Sequence, residues 1–328
     1  MRLNLRSIVC GAAFLAVLGE PLYASTTDTS QQSASVTPAP EAGPNRPSNV
    51  PEGYIVTPFG YFHPSCLQRL AKGERLLADA RVQHADGSVN AKAAVCTYPH
   101  YLQSGISPKS AKSSAPSAIN GWVASASITT GSATQSYGAL TARWTVPPQP
   151  YVDNGQVLYF FPGFEDINDS QTSILQPVLG WYQGQWTIAS WNCCLSGIVT
   201  SSPSVNVTAG DRIYGSVTSS CSRGTLSCAT WNVLSVDLST GESTTLGSTP
   251  SDGQVFNWAF GGVLEAYYVT SCDDYPSDGQ LAFDQVTVFD ENLQPLAHQK
   301  WSEGVDTTDT PQCGYSLTTV RRKITVSF

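Results

Sequence analysis

The sequence predicts an all-β fold over residues 118–328, a sandwich of two antiparallel sheets. Short stretches rich in Val, Ile, Thr, Tyr and Trp recur there, among them "QVLYFFPGF", "QWTIASW" and "WNVLSVDLSTGE". Several alternate polar and apolar residues, and turn residues interrupt them at intervals of roughly ten residues. No helix of useful length is visible, and roughly 210 residues is an ordinary size for one β domain.

The region before residue 118 has a different character. Arg2, Arg6 and the apolar stretch "IVCGAAFLAVLG" precede "LYA", which predicts that residues 1–24 are a cleaved signal peptide and that the protein is secreted. Residues 25–50 are rich in Ser, Thr, Pro and Ala and predict a disordered linker. Residues 51–117 are expected to form a small propeptide-like module that ends in a linker open to proteolysis.

A short helix is expected within this module. The stretch "CLQRLAKGERLLADARVQ" places Leu67, Leu70, Leu76 and Leu77 at roughly helical spacing, with Gly73 as an interruption.

Charge divides the chain at the same place. Residues 118–328 contain 7 Lys and Arg against 18 Asp and Glu, whereas residues 25–117 contain 8 basic and 6 acidic residues. The net charge of −8 disfavours nucleic acid or an anionic membrane as a partner. The basic segment is therefore expected to cover an acidic cleft near neutral pH and to be released as carboxylates become protonated.

Eight cysteines remain after the signal peptide, and an even number in an exported chain indicates disulfides. Cys66 is expected to pair with Cys96, and Cys221 with Cys228. The pairing of Cys193, Cys194, Cys272 and Cys313 stays open, with the two adjacent cysteines expected to reach different partners. No zinc-ligand spacing is present, so neither a metal nor another cofactor is predicted.

Common hydrolytic machinery is absent from the β region. It contains a single histidine, His298, and no GxSxG motif, so Ser–His and Cys–His catalysis are disfavoured. No strand carries the acid–x–acid pair that a retaining sandwich glycosidase would use.

Two polar residues interrupt apolar strands. Glu265 lies in "GGVLEAYYV" and Gln176 in "SILQPVLGW". Each could be a hydrogen-bonded structural group, because buried polar groups need partners. If the two face each other, the carboxylate could take a proton from water while the amide donates a hydrogen bond to a developing oxyanion.

Residues 119 to about 292 resemble the eqolisin family of glutamic peptidases. The similar segments, in the family's order, are "NGWVASASI", "YGALTARWTVPPQP", "FFPGFED", "SILQP", "VTAGDRIYGSVT", "WNVLSVDLSTGES", "GGVLEAYYV" and "LAFDQVTVFDEN". The chain departs from the family pattern where Pro177 follows Gln176 and where Trp258 lies seven residues before Glu265. A related family, the neprosin-type peptidases, uses two glutamates.

The resemblance implies a concanavalin-like sandwich with a catalytic dyad of Gln176 and Glu265 on its concave face. It further implies a secreted acid endopeptidase, made as a zymogen, that acts on polypeptides and is held by its own propeptide. Glu165, Trp181 and Trp186 are candidates for lining the peptide cleft, with core packing as the alternative for the tryptophans. A monomer is expected. The other readings are a sugar-binding or polysaccharide-cleaving sandwich and a catalytically inactive surface module.

Overall fold

The computed structural model describes residues 46–105, 119–132, 134–168 and 173–328. The predicted signal peptide, most of the linker at residues 25–50 and most of the linker that ends the propeptide-like module lie outside these ranges. Among the described residues, no helix is long and apolar enough to cross a membrane.

The described residues form twenty strands and three short 3₁₀ turns, at Pro64–Cys66, Leu195–Gly197 and Cys272–Asp274. The strands of the first half are β1 (Ile55–Thr57), β2 (Gly60–Phe62), β3 (Leu67–Arg69), β4 (Arg75–Leu76), β5 (Val82–Gln83), β6 (Ile119–Thr129), β7 (Tyr137–Thr145), β8 (Val157–Glu165), β9 (Ile174–Tyr182) and β10 (Gln185–Cys193). Those of the second half are β11 (Val199–Ser201), β12 (Val205–Val207), β13 (Arg212–Ser219), β14 (Thr230–Asp237), β15 (Ser243–Pro250), β16 (Trp258–Val269), β17 (Gln280–Asp290), β18 (Ser302–Val305), β19 (Ser316–Val320) and β20 (Lys323–Ser327).

Most strands belong to two sheets, which confirms the predicted β-sandwich. Sheet A has the order β18-β6-β16-β8-β9-β10-β11-β3, and β12 pairs with β10. Sheet B has the order β15-β14-β13-β7-β17-β20-β19. The pairings are antiparallel except that of β11 with β3, which is parallel. Two small hairpins, β1–β2 and β4–β5, lie outside the sheets.

The two faces of sheet A are both buried, which explains why β8 and β9 read as nearly continuous apolar runs. Phe160 and Leu179 belong to the core between the sheets, where they join Trp144 and Val217 of sheet B. Side chains of the opposite parity, such as Phe161, form a second apolar cluster on the outer face, turned away from sheet B. Because side chains alternate along a strand, a doubly covered strand needs apolar residues at both parities.

The second cluster is closed by the N-terminal segment, which we define as residues 46–105. Its apolar side chains on the outer face are fully or almost fully buried: Val50, Tyr54, Val56, Phe59, Tyr61 and Phe62. The outer face of sheet A is therefore covered by part of the same chain.

The helix expected within residues 66–83 is wrong. Leu67 begins β3, which extends sheet A, and a turn closed by Glu74 N–H to the Ala71 carbonyl (3.0 Å) follows. Leu70 and Leu76 are buried in the core between the sheets. The leucines thus gain more burial at the edge of the sandwich than an isolated, Gly-interrupted helix could offer them.

Disulfides join Cys66 to Cys96 and Cys221 to Cys228, as the sequence predicted. The expectation that Cys193 and Cys194 reach different partners is wrong, because they are bonded to each other. Cys272 and Cys313 lie 5.4 Å apart between Cα atoms and form the fourth bond, which removes both alternative partners.

Candidate active site on the outer face of sheet A

Gln176 lies on β9 with its side chain on the outer face, at the same parity as Ile174 and Val178. It is fully buried, and neither its Nε2 nor its Oε1 atom has a hydrogen-bond partner among the described residues. Its neighbour on β10 is Trp191. A buried amide with both atoms unpaired is costly to the fold and marks a position where function is to be sought.

Gly163 on β8 makes room for this amide. The pairs on either side of it, Phe160 with Leu179 and Phe164 with Leu175, put Gly163 opposite Gln176. A Cβ atom at this position would lie 2.6 Å from the Leu175 carbonyl oxygen and 3.0 Å from the Gln176 Cγ. Only glycine allows the two strands and the amide to approach so closely.

Glu265 lies on β16 with its side chain on the same outer face and is fully buried. Its carboxyl group contacts the Tyr267 hydroxyl, the Trp122 indole N–H (3.1 Å) and the Gln103 side chain. Burial raises the pKa of Glu265 to about 8, although the hydrogen bonds that Tyr267, Gln103 and Trp122 can donate to the ionised form act in the opposite direction. A carboxyl group in this environment is neutral at acid and neutral pH.

The structure does not bring Gln176 and Glu265 together. Strand β8 lies between their strands, and Glu265 is opposite Tyr159, which is in turn opposite Gly180 of β9. Gln176 lies four positions further along β9. With about 3.3 Å per residue and about 4.8 Å per strand, the two Cα atoms are roughly 16 Å apart. Phe260, not a carboxylate, is the β16 residue opposite Gly163 and thus level with Gln176.

Glu165 is the carboxylate nearest to Gln176 by register. It pairs with Ile174 on one side and Trp258 on the other, and only 1% of its surface is exposed. Because Glu165 lies two residues beyond Gly163 on β8, it is the diagonal neighbour of Gln176 on one face. Diagonal neighbours are about 7–8 Å apart, so an amide and a carboxylate in this arrangement can both reach one water or one peptide group.

The adjacent acid has a structural role. The Asp166 carboxylate accepts hydrogen bonds from the backbone N–H groups of Asn168 (2.9 Å) and Val255 (3.0 Å). These contacts join residues 166–168, directly after β8, to Val255, which lies shortly before β16.

The tryptophans divide between the two faces. Trp181 and Trp186 belong to the core between the sheets, with ring centroids 5.1 Å apart, so the structure does not place them at the candidate cleft. Trp191, Trp122 and Trp258 contribute to the outer face instead. The sequence indicates this placement, because side chains alternate between the two faces of a strand. Trp181 lies an odd number of positions from Gln176 along β9, so the two side chains are on opposite faces.

The N-terminal segment fills the space over this face. Phe59, in the turn between β1 and β2, packs edge-on against Trp191, with ring centroids 6.2 Å apart. Tyr61 packs against Tyr267 at 5.4 Å. The Tyr159 hydroxyl donates a hydrogen bond to the Val56 carbonyl (3.3 Å). The segment therefore contacts both the neighbourhood of Gln176 and that of Glu265.

Within the described ranges, no group of three or more His, Cys, Asp or Glu side chains is arranged to hold a metal ion.

Comparison with known proteins gives a limited result. No protein-family model matches the chain, and no curated protein matches it. Among solved structures, it is similar to scytalido-glutamic peptidase with a peptide-based transition state analog, at 17% identity and a TM-score of 0.46, over 63% of this chain and 98% of that one. The same identity, score and coverage apply to SCP-B, a member of the eqolisin family bound to the tripeptide Ala-Ile-His. Aspergilloglutamic peptidase from Aspergillus niger follows at 16% identity and 0.35, over 52% of this chain and 98% of that one.

Proposed function

We propose that this chain is a secreted acid endopeptidase of the glutamic type, made as a latent precursor, in which Gln176 and Glu165 act on the peptide bond. One observation carries the proposal. A buried amide with two unpaired atoms is the diagonal neighbour of a buried carboxylate, on the face that the N-terminal segment covers. The sequence assigned the base to Glu265. We assign it to Glu165, since Glu265 is roughly 16 Å from Gln176 along the sheet.

The proposed chemistry needs no metal or nucleophilic side chain. The Glu165 carboxylate takes a proton from a water molecule, whose oxygen attacks the peptide carbonyl carbon. The Gln176 amide N–H donates a hydrogen bond to the oxyanion that forms. The proton held by Glu165 then passes to the leaving amine as the C–N bond breaks, which regenerates the carboxylate.

Latency follows from the covered face. The N-terminal segment contains the Cys66–Cys96 disulfide, and the other three disulfides lie between residues 193 and 313. Cleavage between residues 106 and 118 would therefore leave the segment attached by non-covalent contacts alone. We propose this segment as an intramolecular partner that yields the cleft to a polypeptide substrate, in a protein that acts as a monomer.

A sugar-binding or polysaccharide-cleaving function receives less support. A sandwich fold and tryptophans that could stack on a sugar favoured it, but Trp181 and Trp186 are buried between the sheets, where no sugar ring could stack on them. A catalytically inactive module is the alternative that the experiment below distinguishes.

The experiment compares four isosteric or truncating variants of the secreted chain. After cleavage within residues 106–118 and digestion of the N-terminal segment, each protein is incubated with denatured casein at acid pH. Glu165→Gln should abolish hydrolysis, and Gln176→Ala should reduce turnover by roughly 10²–10³-fold, the range for loss of one oxyanion donor. Glu265→Gln should keep activity, as should Glu303→Gln, a matched change at an exposed glutamate.

The reverse pattern would identify the other base. If Glu265→Gln is inactive and Glu165→Gln is active, the assignment by register is wrong and the sequence-based dyad is right. If the unmodified protein hydrolyses nothing between pH 3 and pH 8 after the segment has been removed, the chain is not a peptidase.

A further inference from the structure

Glu265 lies where the N-terminal segment contacts sheet A. Two of its neighbours, Tyr267 and Trp122, come from sheet A, and the third, Gln103, comes from the segment. The Tyr267 oxygen also accepts a hydrogen bond from the Gly60 backbone N–H (2.9 Å) and lies 2.9 Å from the Thr57 carbonyl oxygen. Tyr267 thus connects the carboxyl group to the turn between β1 and β2.

The protons around Tyr267 can be counted. The Gly60 N–H only donates and the Thr57 carbonyl only accepts, while the phenol has a single proton. If Glu265 is ionised, that proton goes to the carboxylate, and the Thr57 carbonyl then faces a phenol lone pair in a buried site. If Glu265 is neutral, its own O–H donates to the phenol oxygen, and the phenol proton goes to the Thr57 carbonyl. Only the neutral carboxyl group satisfies every partner.

We propose that Glu265 and Tyr267 form a binding site for the backbone turn Thr57–Gly60, and that this site holds the N-terminal segment only while Glu265 is protonated. Glu265 is then a docking residue and not the base. The inference does not depend on peptidase activity, because it concerns the binding of the segment.

The surroundings of Glu265 agree with a neutral docked form. Tyr61, Tyr159, Tyr267 and Tyr268 are the other titratable groups near it, and burial raises the pKa of Tyr61, Tyr159 and Tyr267 far above the physiological range. Arg69 is the cation of this neighbourhood and interacts with Tyr159. These three tyrosines keep their charge between pH 4 and pH 8. His100, in the segment and stacked on Phe62, has a pKa lowered by burial, and it is present in the unmodified protein and in Glu265→Gln alike, so comparing the two isolates the carboxyl group of Glu265.

The direction of the pH dependence follows from the raised pKa. The docked carboxyl group has a pKa of about 8, raised by burial to which the segment contributes, so docking is favoured at low pH and weakens as the pH rises through about 8. A latch made of opposite surface charges would weaken as the pH falls from 5 to 3. The two mechanisms therefore predict opposite slopes. Under our proposal, acid alone does not release the segment, and its removal at acid pH requires digestion.

The test uses the full chain cut once within residues 106–118, with the segment still bound. A fluorescent label on an exposed segment position reports dissociation after dilution at pH 4.5, 6, 7 and 8.5. The unmodified protein should lose the segment at least tenfold faster at pH 8.5 than at pH 4.5. Glu265→Gln, a permanently neutral isostere, should dissociate slowly with little dependence on pH.

Two tyrosine variants serve as a matched pair. Tyr267→Phe removes both contacts to the turn and should accelerate dissociation at every pH. Tyr159→Phe removes one contact to the segment backbone, at Val56, and leaves the hydrogen bonds of Glu265 in place, so it should shift the rates while leaving their pH slope unchanged. The proposal is overturned if Glu265→Gln keeps the slope of the unmodified protein, or if that protein holds the segment more tightly as the pH rises.

Discussion

Titration of Glu265 should dominate the pH dependence of stability between pH 5 and pH 8. Burial raises the pKa of this group from 4.5 to about 8, so the folded chain keeps a proton that the unfolded chain releases. Stability from the neutral carboxyl group is complete below pH 4.5 and is lost as the pH rises through 8. Where the folded state binds one proton more than the unfolded state, the free energy of unfolding changes by about 1.4 kcal/mol per pH unit. Between pH 4 and pH 7 the loss is about 3 kcal/mol.

Urea unfolding of the full-length protein at pH 5, 6, 7 and 8 measures this slope, with Glu265→Gln as the comparison. Two histidines titrate in the same range. The pKa of His84 is raised by hydrogen bonds to Asn90 and Glu74, and the pKa of His100 is lowered by burial. They act in opposite directions and are present in both proteins, so the difference between the two curves isolates Glu265. Parallel curves would refute the reasoning.

Two further predictions concern the site and the cysteines. Gly163→Ala should remove most of the proposed peptidase activity and destabilise the fold by about 1–3 kcal/mol, because its Cβ would lie 2.6 Å from the Leu175 carbonyl oxygen. Gly247→Ala, whose Cβ would meet only the Asn232 Oδ1 atom at 3.6 Å, is the control for urea unfolding and casein hydrolysis, and equal effects would contradict the packing argument. The protein without residues 1–24 should show no free thiol in a titration under denaturing conditions, since its eight cysteines are all paired, and two or more reactive thiols would disprove this.

Local pattern was sufficient to predict the class of fold and the unusual side chains. Period-two alternation and regular turn residues predicted strands that belong to both sheets, although not β3, because these signals depend on near neighbours in the chain. Gln176 and Glu265 were recognised as polar groups in apolar strands, and both are fully buried. Close spacing also predicted the Cys221–Cys228 disulfide, which staples a short loop.

The sequence alone did not determine the register of one strand against its neighbour. A shift of register between Phe260 and Val263 sets which residue of β8 lies opposite Glu265. In the resulting register Glu265 is far from Gln176, and Glu165 is the diagonal neighbour of Gln176. A helix was expected within residues 66–83 of the N-terminal segment because leucine spacing does not specify what will bury the side chains. Register and coverage both depend on contacts between residues far apart in the chain, so only the tertiary structure decided which carboxyl group lies beside Gln176 and which is in contact with the turn Thr57–Gly60.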